Sequence, residues 1–177
     1  MTEKPPVTVP GGIFQSAWVV EDIDRAMRDW VSAGVGPFHV VRRAQVQELR
    51  YRGEPAQFDF SVAIAQSGPM QIELIQQHDD RPSHYRDVYA PGEEGFHHVC
   101  RYTANFDADL ADHAARGAAA VVTGRSGDMR FAFLDTRATL GCMTEIIEDS
   151  ATMRGFFDLI ARSAIDWDGS NPIREAN

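Results

Sequence analysis

The chain has 177 residues, 44% of them hydrophobic and 24% charged, the proportions of an ordinary globular domain with enough length for a real core. Its formal net charge of −9 argues against a surface for nucleic acid or anionic membrane, both of which need basic patches. The opening stretch MTEKPPVTVPGG has no apolar run and no later segment is long enough to span a bilayer, so neither a signal peptide nor a membrane anchor is expected, and a cytoplasmic location is.

Residues 1–12 are rich in proline and glycine and read as an arm. IFQSAWVV (13–20) reads as an apolar strand. EDIDRAMRDWVSAG follows with Ile23, Met27, Trp30 and Val31 at helical spacing, Asp22 as N-cap and Gly34 as stop. GPFHVVRRA, QELRYRG, QFDFSVAIAQS and PMQIELIQ are β-rich segments punctuated by glycine and proline. The stretch QHDDRPSHYRDVYAPGEE (77–94) is polar and reads as an irregular loop with room for one short helix.

GFHHVCRYT begins a second series. A helix, NFDADLADHAARG, is expected between an Asn105 cap and a Gly117 stop, followed by strands in AAVVTGR, DMRFAFLDT and GCMTEIIED. A final helix is expected after 150, with Met153, Phe156, Phe157, Ile160 and Ala164 on one stripe suited to docking. A polar tail containing Trp167 and Pro172 follows it. Cys100 and Cys142 lie in apolar strands without metal-type spacing and read as small buried residues of a reducing compartment.

Laying the second series over the first aligns Gln15 with His98, Asp24 with Asp107, Met27 with Leu110 and Gly34 with Gly117, without a gap. Further on QIELIQ meets MTEIIE, so Glu73 falls on Glu145. The chain therefore reads as two βαβββ units related by a pseudo-twofold. The first, with its connecting loop, covers 13–94 and the second 95–149, within one compact domain that ends in the helix and tail 150–177. Neighbouring strand residues point to opposite faces, so only one of His97 and His98 is expected to face the interior.

Polar side chains buried in strands need partners or a metal. Gln15, Glu73, His98 and Glu145 occupy two pairs of equivalent positions, and a pseudo-twofold would bring them together near its axis. One imidazole, one amide oxygen and two carboxylates suit a divalent metal such as Zn, Mn, Co, Ni or Fe.

FQSAWVVEDIDRAMRDW, GPFHV, MQIELIQ, GFHHVC and LGCMTEIIED together resemble the vicinal oxygen chelate superfamily, from Ile13 to Asp149. That superfamily includes glyoxalase I, methylmalonyl-CoA epimerase, extradiol dioxygenases and the fosfomycin and bleomycin resistance proteins. The resemblance implies an α+β, glyoxalase-like fold, in which tandem βαβββ modules form a cupped mixed sheet, here with an extra C-terminal helix. It implies one divalent metal bound by Gln15, Glu73, His98 and Glu145, with His98 facing it and His97 turned away toward the outer helices. It also implies a homodimer. Tyr102, which shares the parity of His98, and His78, His84 and Tyr85 in the loop between the units are weaker candidates for substrate contact.

A metal with open positions polarises two oxygens on adjacent carbons and lowers the cost of removing a proton beside a carbonyl. Glu145 is the first candidate for the base, with Glu73 opposite to return the proton. The leading expectation is thus a glyoxalase-type isomerase, epimerase or lyase acting through a metal-chelated enolate on a small carbonyl substrate. An Fe(II) ring-cleaving dioxygenase is the second, although such sites favour two histidines and one carboxylate. A metal-free binding or resistance protein is the third. No glutathione site is legible, and Arg42, Arg43, Arg50 and Arg52 read as a solvated strand face rather than a collar for coenzyme A phosphates.

Overall fold

The computed structural model describes residues 12–176; residues 1–11, most of the expected arm, and Asn177 lie outside the described residues. β1 (Ile13–Val19) is followed by α1 (Ile23–Ser32). Asp22 starts the helix from extended backbone, its carboxylate accepting the Arg25 N–H at 2.9 Å. Ile23, Ala26 and Met27 form the face that α1 buries. β2 (Phe38–Val41), β3 (Gln47–Tyr51), β4 (Glu54–Pro55), β5 (Phe60–Ser67) and β6 (Met70–Gln77) complete the first series.

The second opens with β7 (Gly95–Thr103) and α2 (Phe106–Ala115), where the Asn105 side chain accepts the Ala108 N–H as a cap. β8 (Ala120–Ser126), β9 (Met129–Leu134), the single turn α3 (Arg137–Leu140) and β10 (Met143–Glu148) follow. The chain ends in α4 (Ala151–Ala164) and β11 (Ile173–Glu175).

All the described strands join one sheet, ordered β11-β2-β5-β6-β1-β7-β10-β9-β8-β3-β4. The sets β2-β5-β6-β1 and β8-β9-β10-β7 mirror one another and meet at the antiparallel β1–β7 pair. Each outer strand of that pair, β6 or β10, runs parallel to its neighbour. The short link from Val41 to Gln47 joins strands near opposite ends of the order yet spans at most roughly 20 Å. The sheet must therefore curl until its ends approach, and a twisted sheet curled this far is a cup. The molecule is α+β, with one large curved sheet and few helices. No described helix is long and apolar enough to cross a membrane.

Three features depart from the sequence reading. The segment around QELRYRG does not lie beside its own series: β3 crosses to the far edge and pairs with β8, Arg50 opposite Thr123 and Tyr51 opposite Val122. An unpaired edge strand carries unmet backbone groups, and β3 satisfies those of β8. The expected polar tail contains β11, which covers the other edge by pairing with β2. The stretch 77–94 holds no helix and folds inward, burying Ser83, His84 and Tyr85. The Ser83 hydroxyl donates to Gln77 Oε1 at 2.6 Å, and the Arg86 guanidinium donates to the carbonyls of Gln77 and Asp79. With these backbone carbonyls and the Ser83 hydroxyl met internally, such a turn can be buried.

Hydrophobic side chains pack on both faces of the sheet. Ile23, Met27, Phe38 and Leu74 lie under α1, and Phe106, Leu134 and Ile146 under α2. On the concave side Phe14, Tyr102, Phe131, Phe133 and Ile147 meet Phe157 and Ile160 of α4. Cys100 and Cys142 are free and buried.

Candidate metal centre

Pairing across four central strands decides which side chains share the concave face. In one row Glu73 of β6 lies opposite Ala17 of β1, and Ala17 opposite His98 of β7. In the next, Gln15 lies opposite Cys100, and Cys100 opposite Glu145 of β10. Paired residues stand on the same face. Glu73 and His98 therefore flank Ala17, and Gln15 and Glu145 flank Cys100. The two small residues between them leave room for the longer polar side chains to converge.

His98 Nε2 lies 3.2 Å from a Glu73 carboxylate oxygen and 3.4 Å from one of Glu145. The three donor atoms are all within 4.8 Å of one another. Although buried, His98 Nε2 meets neither carboxylate at a proper hydrogen-bonding angle. One imidazole nitrogen and two carboxylate oxygens around a shared point could hold a divalent metal ion. Gln15 is buried alongside, and its amide donates to Gln71 Oε1 at 3.2 Å. Its own side-chain oxygen is the atom left for a ligand.

The electrostatics follow the same pattern. Burial alone would keep His98 neutral, but its contacts with Glu145 and Glu73 outweigh that and hold its pKa up at about 9. Burial raises the Glu73 carboxyl, against the pull of His98. In the metal-free chain an imidazolium thus occupies the place between two acids where a cation is most favourable.

His97 does not face away. The β1–β7 pairing slips between Ala17, opposite His98, and Trp18, opposite Phe96. The extra residue in this bulge breaks the strict alternation of the strand. His97 and His98 are both buried, and the His97 ring packs against His84, Tyr85 and Phe133 rather than outer helices.

Gln15, Glu73 and Glu145 form the polar end of a cavity of ≈ 370 Å³. His84 and Tyr85 line its wall. The His84 ring is held between Tyr85 and Phe133, at centroid distances of 3.9 and 4.0 Å, with both ring nitrogens unpartnered. Burial keeps that imidazole neutral and the Tyr85 hydroxyl protonated, reinforced by the charges of Glu73 and Glu145.

The other two candidates for substrate contact lie elsewhere. Tyr102 shares the face of His98, but it stacks on Phe14 at 4.4 Å and joins the cluster beneath Phe157 of α4. His78 Nε2 lies 2.7 Å from the Ser61 hydroxyl, outside the cavity lining. The arginines of the second and third strands are engaged within the chain. Arg42 pairs with Asp24 at 2.6 Å and Glu175 at 3.2 Å, Arg52 with Asp87 at 3.1 Å, and Arg43 with Asp59.

Aromatic residues were the part of the site that motif reasoning missed. Phe58, Phe60, Phe131 and Phe133 line the cavity. Their signal was present as F-x-F in QFDFS and MRFAF, a spacing that puts two rings on one face of a strand.

The profile of the glyoxalase/bleomycin resistance protein/dioxygenase superfamily matches residues 14–133. Among solved structures, methylmalonyl-CoA epimerase from Mycobacterium tuberculosis is similar at a TM-score of 0.53 and 14% identity, over 85% of this chain and 95% of that one. A hypothetical protein from Bacillus halodurans gives 0.55 and 16%, over 78% and 94%. A Streptomyces coelicolor methylmalonyl-CoA epimerase variant in complex with 2-nitronate-propionyl-CoA gives 0.50 and 21%, over 81% and 97%. At these identities the likeness is one of fold. No curated protein sequence matches.

Proposed function

The chain belongs to the glyoxalase/bleomycin resistance protein/dioxygenase superfamily, and on that premise we propose that it is a metal-dependent isomerase, epimerase or lyase that moves a proton on the carbon beside a carbonyl. The reading is carried by the convergence of Glu73, His98 and Glu145, whose two carboxylates reach the polar end of a largely apolar cavity. These three side chains and Gln15 would hold the cation. A divalent ion bound there would supply Lewis acidity to the substrate's oxygens.

The two glutamates reach the centre from strands on either side of β7. A carboxylate oxygen of Glu145 accepts the proton from the carbon beside the carbonyl. Glu73 delivers a proton to the opposite side, the disposition that isomerisation or epimerisation requires. Burial raises the Glu73 carboxyl, which favours the protonated form it needs in order to deliver a proton. The Tyr85 hydroxyl and the neutral His84 ring orient the substrate's oxygens from the wall. The surrounding apolar side chains keep water from competing for the proton. One histidine with two carboxylates disfavours the ring-cleaving dioxygenase reading, whose iron sites use two histidines and one carboxylate.

Elemental analysis of the protein and of Glu145→Ala, both dialysed without added metal, tests the proposal. It is supported by about one equivalent of transition metal in the parent, much less in the variant, and parent-dependent exchange of α-protons of hydroxy ketones in deuterated water. Absence of bound metal even after reloading with zinc overturns it, and leaves the cup as a binding site.

A further inference from the structure

We propose that the substrate is an uncharged carbonyl compound bearing an aryl group, an inference that rests on the proton-transfer reading of the same site. Three observations carry it: the charge of the lining, the character of its walls and the size of the space.

Among the described residues that line the cavity, Glu73 and Glu145 are the only acids, and no lysine or arginine is present. With both glutamates ionised a divalent cation brings the polar end to zero charge, and with Glu73 protonated for proton delivery a single positive charge is left, confined to the cation. Without the cation, the two glutamates only make that end more negative. A substrate carboxylate or phosphate lying among the walls, away from the cation, would therefore be buried without a counter-charge, which is costly.

The walls are aromatic. Phe58, Phe60, Phe131 and Phe133 rise from the sheet and its adjoining loop, while Phe156 and Phe157 of α4 form a roof. Rings disposed around a space favour an aryl guest, through buried area and through offset or edge-on contacts. A cavity of about 150 Å³ accepts benzene, so ≈ 370 Å³ has room for roughly fifteen non-hydrogen atoms on the same scale. That accommodates a ring and a vicinal oxygen pair, with the oxygens at the polar end and the ring under α4.

Calorimetric titration of the zinc-loaded and the metal-free protein with three probes tests the inference. Phenylpropanedione is an uncharged aryl diketone; benzoylformate carries a carboxylate in place of its acetyl group; butanedione lacks the ring. In the metal-free protein, where no cation pairs with a carboxylate, phenylpropanedione is expected to bind at least about tenfold more tightly than either of the others, the scale of burying one ring or of avoiding one unpaired charge. Phe156→Ala removes one ring from a half-buried position in the roof and is expected to narrow the preference for phenylpropanedione over butanedione severalfold.

Equal or tighter binding of benzoylformate or butanedione by the metal-free parent overturns the assignment. The two readings fail separately. If zinc and α-proton exchange are absent while the preference for the aryl diketone persists without metal, the reaction is wrong and the ligand class stands. If zinc binds and exchange occurs but the metal-free protein prefers the anionic probe, the ligand class is wrong and the reaction stands.

Discussion

His97 Nδ1 lies 3.0 Å from His98 Nδ1, and His97 Nε2 lies 3.1 Å from the carbonyl oxygen of His84. A carbonyl only accepts, so His97 carries its hydrogen on Nε2. Burial, with the neighbouring charge of His98, pushes the His97 pKa down to about 3, so its Nδ1 is a lone pair. That lone pair accepts the Nδ1–H of His98. His98 is thereby left with Nε2 as the nitrogen it presents to Glu73 and Glu145. One backbone carbonyl in the inward-folded loop sets, through His97, the tautomer of the central histidine.

His97→Phe keeps the bulk and removes the acceptor. Zinc affinity is expected to fall roughly 10–100-fold, the usual effect of losing such a supporting hydrogen bond. Competition with a chromophoric chelator measures it. His97→Gln, whose amide oxygen can accept from His98, is expected to recover part of the loss, whereas unchanged affinity in both variants would remove His97 from this role.

Metal uptake should depend on pH. Since His98 is held up at about 9, below that value each zinc must displace a proton. Apparent affinity is expected to rise by roughly a hundredfold between about pH 6 and about pH 8, with about one proton released into dilute buffer per zinc bound. Stability of the metal-free form carries the opposite sign. The folded pKa lies above the ordinary value of 6.5, so this contribution is fully present below about 6.5 and is lost as pH rises through about 9. Urea midpoints of the metal-free protein across that window give the slope; a rising midpoint would contradict the ion-paired centre.

Gly124 of β8 faces Phe131 of β9, and a Cβ there would come within 2.6 Å of the Phe131 ring and 2.9 Å of Val46. Gly124→Ala is expected to lower stability by about 1–3 kcal/mol through overpacking, read as a reduced urea midpoint with unchanged slope. Because Phe131 is a wall of the cavity, its displacement should also weaken binding of phenylpropanedione.

Asp22→Ala removes the α1 cap on the outer surface. A loss of about 1 kcal/mol is expected, with zinc content and α-proton exchange unchanged. A loss of zinc in this variant would show that α1 contributes to the geometry of the centre as well as to stability.

Much of the architecture was legible because its signals are local. The Asp22 and Asn105 caps, the helical stripes and the alternation of the strands each act over a few residues. They place the ends of α1 and α2 within the chain without reference to the rest of the molecule. The correspondence of Gln15 with His98 and of Glu73 with Glu145 is equally a matter of spacing. Other features had no local signal. QELRYRG reads as a strand wherever its partner lies, and only the curling of the sheet brings β8 within its reach. The polar stretch 77–94 resembles any surface loop until Gln77, Ser83 and Arg86 are seen to satisfy its backbone from within.

The sequence by itself determined the order and kind of the longer elements as far as α4, the twofold repeat and the polar positions that strand cores do not ordinarily tolerate. The tertiary structure decided that Glu73, His98 and Glu145 meet, that His97 turns inward at a bulge, and that α4 roofs an aromatic chamber above them. The division has a physical cause. Propensity and capping are settled within one or two turns of chain, whereas register, bulges and cavity walls arise from pairing between segments distant in sequence, where a slip of one residue changes which side chain faces the interior.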